Sequence, residues 1–398
     1  MKFLYEDVEV MFIDEISMVS SKKLTKINFR LQELADGANK IKFMGGCSLV
    51  ASGDMWQLPP IKDNIIMDKN NLDGRPNFSP SHWKENFKIY YLPEKMRSHS
   101  DIEFSSLCDR VGRNRITEAD EKFFRSRIKS CPNENSNEHY KNGELSIIVT
   151  TNRKKDFLNS EKLRELLPNE REYTCTSIDR VRNLPHCPRL SENDLVNLSK
   201  TGNLPTVLKL KVGAPVVITS NHPNSRYKDD GIMNGARGYI QAIQTDEINP
   251  NQVRVIWVVF NHEKLGSLYR SEKYHLRQNF NPGHPLATPI LPERNKFMHE
   301  NVEYQRCNFA LSLAYALTAH KCQGSTLKEV IIDFGADKEK GIKNFILSGS
   351  FYVSLTRVRA GNNVFLKSFE KSYIAVDERI EEKISAMIQC KPYKFKKI

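Results

Sequence analysis

The stretch V-E-V-M-F-I-D-E-I-S-M-V, Val8 to Val19, decides how the rest of the chain is read. Val8, Val10, Met11, Phe12 and Ile13 make a short, nearly unbroken apolar segment, which predicts a strand covered on both faces in a parallel sheet. Asp14 and Glu15 stand where that strand ends, the edge at which open α/β sheets bind ligands. Hydrolysis of a phosphoanhydride wants one carboxylate beside a metal ion and a second that orients or deprotonates the attacking water. Asp14 and Glu15 are candidates for those two roles. An apolar run followed by Asp-Glu also arises by chance, so the assignment depends on what lies downstream.

The chain has 398 residues, enough for two or three units, and 39% of them are hydrophobic, enough for proper cores. Its 60 Lys and Arg against 48 Asp and Glu give a net charge of +12, with a pI near 9.2. That balance favours a polyanionic partner such as nucleic acid, although basic proteins without one exist. Eight cysteines are scattered with no C-x-x-C pair, which suits a reduced, intracellular protein better than a zinc or disulfide framework. No apolar run is long enough to span a membrane, and the start M-K-F-L-Y-E-D turns acidic too soon for a signal peptide.

Outward from the first strand, Leu24, Ile27, Leu31 and Leu34 fall at helical spacing, which predicts a helix over Ser21 to Ala35 closed by Asp36-Gly37. A second apolar strand, Cys47 to Ala51, ends at S-G-D-M-W-Q-L-P-P-I, Ser52 to Ile61. Strand, helix, strand is the parallel α/β pattern. Gly53 permits a sharp turn and Pro59-Pro60 stops either element from continuing, so Gln57 is held in a stiff loop at the same sheet edge. Arg113 to Ser146 is polar and reads as helices and a solvated loop. Leu145 to Thr150 reads as a strand, followed by a helix through Leu166. From Thr206 the runs V-L-K-L-K-V, P-V-V-I-T, G-Y-I-Q-A-I and V-R-V-I-W-V-V-F, separated by Asn, Gly and Pro turns, predict a β-rich region. Val330 to Gly335 reads as a buried strand, Phe351 to Arg359 as a strand-to-turn junction, and Ile380, Ile384, Met387 and Ile388 as the apolar face of a last helix.

D-E-I-S-M at Asp14 to Met18 and G-D-M-W-Q-L-P-P-I at Gly53 to Ile61 resemble motifs II and III of the Pif/RecD-like superfamily 1 ATP-dependent DNA helicases. The resemblance continues in family order through L-P-E-K-M-R-S (Leu92 to Ser98), L-K-V-G-A-P-V-V-I (Leu210 to Ile218), I-M-N-G-A-R-G (Ile232 to Gly238), A-H-K-C-Q-G-S-T (Ala319 to Thr326) and Y-V-S-L-T-R-V-R (Tyr352 to Arg359). The Trp83 to Arg127 region is similar to Helitron-associated members. The fold this implies is α/β: two RecA-like P-loop NTPase-type domains, the first N-terminally truncated, with a small β-rich SH3-like insertion. The implied spans are 1–87 for the partial first motor domain, 88–205 for the start of the second, 206–304 for the insertion and 305–398 for the remainder.

The resemblance also implies roles. Asp14 would hold Mg2+, Glu15 would act on the water, and Gln57 would sense the terminal phosphate of ATP. Arg97 and Arg357 would be arginine fingers, whose forked, permanently charged guanidinium groups suit the equatorial oxygens of a phosphoryl transition state. Gln323 and Gly324 would touch the nucleotide, and His320 and Thr326 the nucleic acid, while Cys322 replaces the more usual serine. For Trp56 packing is favoured over base stacking. The implied partner is single-stranded or forked DNA, with no membrane. The implied setting is intracellular, the nucleus in a eukaryote, in processes such as repair, recombination and telomere maintenance.

The chain departs from the pattern in one respect. A phosphate-cradling loop needs G-x-x-x-x-G-K-[ST], and there is no Gly-Lys dipeptide in these 398 residues. The expectation is therefore a truncated reading frame, a decayed relic or one half of a split enzyme with an upstream half carrying the loop. Two functions follow: an ATP-dependent helicase present here in part, or a non-hydrolysing nucleic-acid-binding remnant. A sheet lacking a strand would also make residues 1–87 the least stable part, with the chain from Lys88 onward folding better alone.

Overall fold

The computed structural model describes residues 8–67, 86–92, 94–128, 134–181, 201–336 and 346–385. Trp83, Met387, Ile388 and the basic tail lie outside them. The chain divides into two compact units, Met1–Ile128 with Cys322–Thr326 and Phe334–Ile398, and Lys129–Lys321 with Leu327–Asp333.

In the first unit, strands β1 (Val10–Ile13) and β2 (Ser48–Ala51) pair in parallel, Val10 opposite Ser48 and Ile13 opposite Ala51. Helix α1 (Ser21–Leu34) connects them, its first turn capped by the Ser20 hydroxyl, which accepts the Lys23 amide. Leu24 at its buried face joins Ile16, Met44, Ile65 and Ile66 in one core, with Ile13, Leu49 and Ala51 packed against it. The expected two-sided cover of β1 is not found. Val10 and Phe12 are 45% and 77% exposed, because α1 and its neighbours cover only the alternate face and nothing among the described residues packs on the other.

Helices α2 (Ile102–Gly112) and α3 (Glu118–Ser126) follow. Phe124 of α3 packs on Phe351 and Phe369, ring centroids 5.4 and 4.7 Å away. Phe351 belongs to a helix, Ser350–Leu355, where the sequence reading places a strand. The segment F-Y-V-S-L is buried nearly all round, so it carries no helical period, and its aromatic and β-branched residues mimic a strand. Ile380, on the helix Arg379–Ser385, completes the Ile16–Leu24 core. Residues between Ile16 and Met67 therefore share a core with Ile380.

In the second unit, β3 (Leu145–Val149) is wholly buried and leads into α4 (Asn152–Leu166). Asn159 fixes α4 in place, its amide donating to the Leu313 and Ala316 carbonyls and its oxygen accepting the Ala316 N–H at 2.8 Å. β4 (Tyr173–Thr176) and β5 (Ile178–Val181) precede β6 (Val207–Leu210), β7 (Pro215–Ile218), β8 (Arg237–Thr245) and β9 (Val253–Phe260). Then come β10 (Thr288–Ile290), β11 (Glu293–His299), β12 (Val302–Asn308), β13 (Leu311–Leu313), β14 (Ala316–Thr318) and β15 (Glu329–Ile332). β3 lies between β14 and β15, parallel to both. An antiparallel sheet runs β10-β9-β8-β7-β13, and a second runs β11-β12-β5. β-structure thus extends beyond 206–304, since β4 pairs with β6 and β5 with β12. Arg306 and Asp179, both almost wholly buried, clamp β12 to β5 through two 2.8 Å bonds. No helix of the described residues is long and apolar enough to cross a membrane.

Candidate active site

The carboxyl ends of β1 and β2 are stitched together by the Ser52 amide on the Ile13 carbonyl and the Ile16 amide on the Ser52 carbonyl, both 2.9 Å. Gly53 follows with φ +153°. A Cβ there would stand 2.8 Å from the Ile16 nitrogen, so glycine is what lets the loop pass so close. Asp14 Oδ1 accepts the Ser52 hydroxyl at 2.7 Å and the Glu15 amide at 2.8 Å. Those bonds, the Ser52 hydroxyl first, hold its carboxyl below the usual range. Glu15 itself is left-handed (φ 51°, ψ 49°), a conformation uncommon outside glycine. Its Oε2 accepts the Gln323 side-chain amide at 2.9 Å. Next to Gln323, the left-handed Gly324 leaves open space, with Glu15 Oε1 3.9 Å from where its Cβ would be.

The loop after β2 turns on Asp54. Its carboxylate accepts the Trp56 amide at 3.0 Å, the Gln57 side-chain amide at 3.4 Å and the Tyr352 hydroxyl at 2.7 Å. Burial, and then the Asp54 charge, push the Tyr352 phenol far upward, so it stays a donor. Gly349, left-handed at φ +77°, brings the helix Ser350–Leu355 against this loop. A Cβ there would lie 2.6 Å from the carbonyls of both Trp56 and Gln57. Trp56 packs against the Ile16–Leu24 core, with the Arg113 guanidinium 4.9 Å from its ring centroid.

Two arginines meet at Thr356. Arg97 donates through one terminal nitrogen to the Thr356 carbonyl at 2.8 Å and through Nε to the Thr326 hydroxyl at 3.0 Å. Arg357, 1% exposed, donates to the Thr356 hydroxyl and the Val353 carbonyl, both 2.8 Å, and more weakly to the Cys322 and Ser325 carbonyls. Burial, and then the charge of Arg97, bring its pKa down to about 10. Burial also lowers that of Arg97, and Glu15 opposes the shift in both arginines. Two guanidinium groups facing one carboxylate leave a positive field that suits a polyanion.

The first unit therefore brings together Asp14, Glu15, Gln57, Arg97, Gln323, Gly324, Thr326 and Arg357. His320 belongs to the second unit, where burial lowers its pKa and leaves its Nε2 without a partner among the described residues. Thr326 spends its hydroxyl on Arg97. Ser52, Asp54, Tyr352 and Thr356 are parts of the site that sequence reasoning passed over. Nothing in their spacing marks them, because each acts on a residue distant in the chain or on backbone.

Whether a nucleotide with Mg2+ fits can be judged from the polar atoms that remain. The side-chain oxygens of Gln57 and Gln323 are buried and lack partners among the described residues. Asp14 Oδ2 has none either, and Mg2+ asks little more of a protein than one or two carboxylates beside the substrate phosphates. These acceptor oxygens fit the metal ion.

A PIF1-like helicase family model matches residues 1–122. The ATP-dependent DNA helicase Pif1 of Campylobacter jejuni is 26% identical over 375 residues, covering 93% of this chain and 72% of that protein. Both likenesses are to PIF1-like helicases. Against the ATP-dependent DNA helicase PIF1 of Candida albicans this chain is 25% identical and spans 45% of the longer protein. The crystal structure of the Candida albicans Pif1 helicase shares the fold, with a TM-score of 0.69, 22% identity, 97% of this chain covered and 78% of that one. So does a Bacteroides Pif1 helicase in complex with ADP-AlF3 and single-stranded DNA, at 0.65 and 18% identity, over 97% and 76%. These likenesses give the PIF1-like fold of two RecA-like motor domains to a chain whose own sheets include the parallel β14-β3-β15.

Proposed function

We propose that this chain is the part, from motif II onward, of an ATP-dependent DNA helicase that couples ATP hydrolysis to translocation along single-stranded DNA and to unwinding of forked duplexes. The observation that carries the reading is the convergence of Glu15, Gln323, Arg97 and Arg357 in one compact unit. The names of its relatives and the single-stranded DNA in a structural neighbour support it. In the mechanism, Ser52 fixes the rotamer of Asp14, whose second oxygen would hold Mg2+. Glu15, oriented by Gln323, positions the water and takes its proton. Gln57, tethered through Asp54 to Tyr352, reads the terminal phosphate. Arg97 and Arg357 supply positive charge to the phosphoryl oxygens, and Thr356 sets their spacing. The bound Mg2+ supplies Lewis-acid neutralisation of the phosphates.

A second reading, a nucleic-acid-binding chain that does not hydrolyse ATP, draws on the lack of any Gly-Lys dipeptide in the 398 residues. Reading the mature transcript upstream of the Met1 codon, and assaying the polypeptide it encodes, separates the two. The helicase reading expects an in-frame G-K-[ST] loop. It also expects strand-stimulated ATP turnover on the order of 1 to 100 per second, at least about 100-fold lower in Glu15→Gln, and none from the 398 residues alone. Turnover that survives Glu15→Gln would overturn it. An in-frame stop and a silent protein would leave the second reading.

A further inference from the structure

On the second unit, a cavity of about 370 Å³ lies between the end of β7 and the start of β11, within the range of small-ligand sites. Its aromatic and charged side chains are of three kinds. Three rings, His222, Tyr227 and Tyr269, stand edge to face as a triangle, with centroids 4.9, 4.7 and 5.6 Å apart. One carboxylate, Glu293, is half-buried, and its Oε2 accepts the Ser220 hydroxyl at 2.9 Å. Two cations, Lys273 and Arg294, and an apolar floor that includes Ile218, Ile232, Ile290 and Leu291 complete the lining.

We propose that this cavity holds one unstacked nucleobase of a single DNA strand, and guanine before the others. The proposal rests on the single-strand reading given above. A half-buried carboxylate with unfilled acceptor capacity calls for N–H donors. An arginine or ammonium guest would supply them, but it would enter a basic chain beside Lys273 and Arg294, which repel it and instead suit flanking phosphates. Among the bases, guanine alone places an N1–H beside an N2 amino group, a donor pair that matches one carboxylate. His222 supplies the complement. Its Nδ1 accepts the Asn224 amide at 3.1 Å, so Nε2 carries the ring proton and donates, as guanine O6 requires. Burial and the Lys273 charge lower the His222 pKa, which keeps that ring neutral. Tyr227 is braced by its hydroxyl bond to Glu272 and offers a fixed π surface, the element that stacks bases without cost in side-chain order.

The test is fluorescence anisotropy with two 20-mers, all-dT and the same strand with one central dG, on the full chain and on Glu293→Gln and Tyr227→Ala. Thermal melts establish that both variants fold. The expected result is about 10-fold tighter binding of the dG strand, a preference lost in Glu293→Gln and weakened in Tyr227→Ala. Equal affinity for the two strands in the native chain overturns the proposal while leaving the single-strand reading intact. Failure to bind either strand at low salt overturns that reading and the pocket with it. Displacement of neither strand by guanine-bearing competitor, but saturable binding of an arginine tetrapeptide lost in Glu293→Gln, assigns the cavity to a cationic side chain and overturns the nucleobase.

Discussion

Arg110 and Arg357 show how differently one chain can house a guanidinium group. Arg357 is buried among neutral carbonyls and a hydroxyl, and its cation is disfavoured there. Arg110 instead forks onto Asp120, at 2.6 and 2.7 Å, while Asp120, 3% exposed, also closes the capping box of α3. The Arg110 bond is the main reason the Asp120 carboxyl is held below 3.8. A depressed carboxyl contributes stability that is present above the unfolded pKa and lost as pH falls through the folded one. Asp120→Asn should therefore cost about 1 to 2 kcal/mol near neutrality, since Arg110 keeps 34% of its side chain exposed and solvent screens the pair. Urea unfolding at about pH 7 and about pH 3 checks it, with the gap between native and variant chains narrowing at the acid end; a gap that ignores pH would refute it. At this scale the motif letters made Asp14, Glu15, Gln57, Arg97 and Arg357 legible. Ser52, Asp54 and Thr356 were not, since a hydroxyl or carboxylate that orients another side chain reveals itself only when the chain has brought the two together.

Elements with a clean period were legible, and those without one were not. α1 announced itself through the spacing of Leu24, Ile27, Leu31 and Leu34, and the structure adds hydroxyl caps, Ser20 on α1 and Thr151 on α4. The helix Ser350–Leu355, apolar on every side, read as a strand, and the short strands β10 and β13 carried too few residues to show alternation. Nor does local sequence show that Ile380 inserts among Ile16, Leu24 and Met44. The sequence expectation is that residues 1–87 are the least stable part; the contact makes their stability depend on Ile380 as well. Truncating Ile380 to alanine removes buried methyl groups at a site 4% exposed, and should destabilise the first unit by about 3 kcal/mol. Native-state hydrogen exchange reads this directly: the Ser21–Leu34 amides should exchange faster in Ile380→Ala. Unchanged protection of α1 would mean that the two ends of the chain do not share a core.

For the whole molecule, charge bears on the choice of partner. A net charge of +12 suits the proposed function, in which the chain tracks the phosphates of a single strand. Such binding releases counterions, so its affinity must fall steeply with salt. A contact with about four phosphates predicts about a 50-fold loss between roughly 50 and 200 mM salt for single strands. The decisive measurement is fluorescence anisotropy of the 398-residue chain with a labelled dT 20-mer across that salt range. The account predicts measurable binding at the low end and a loss of that size at the high end; no binding at low salt, or an affinity indifferent to salt, would contradict it.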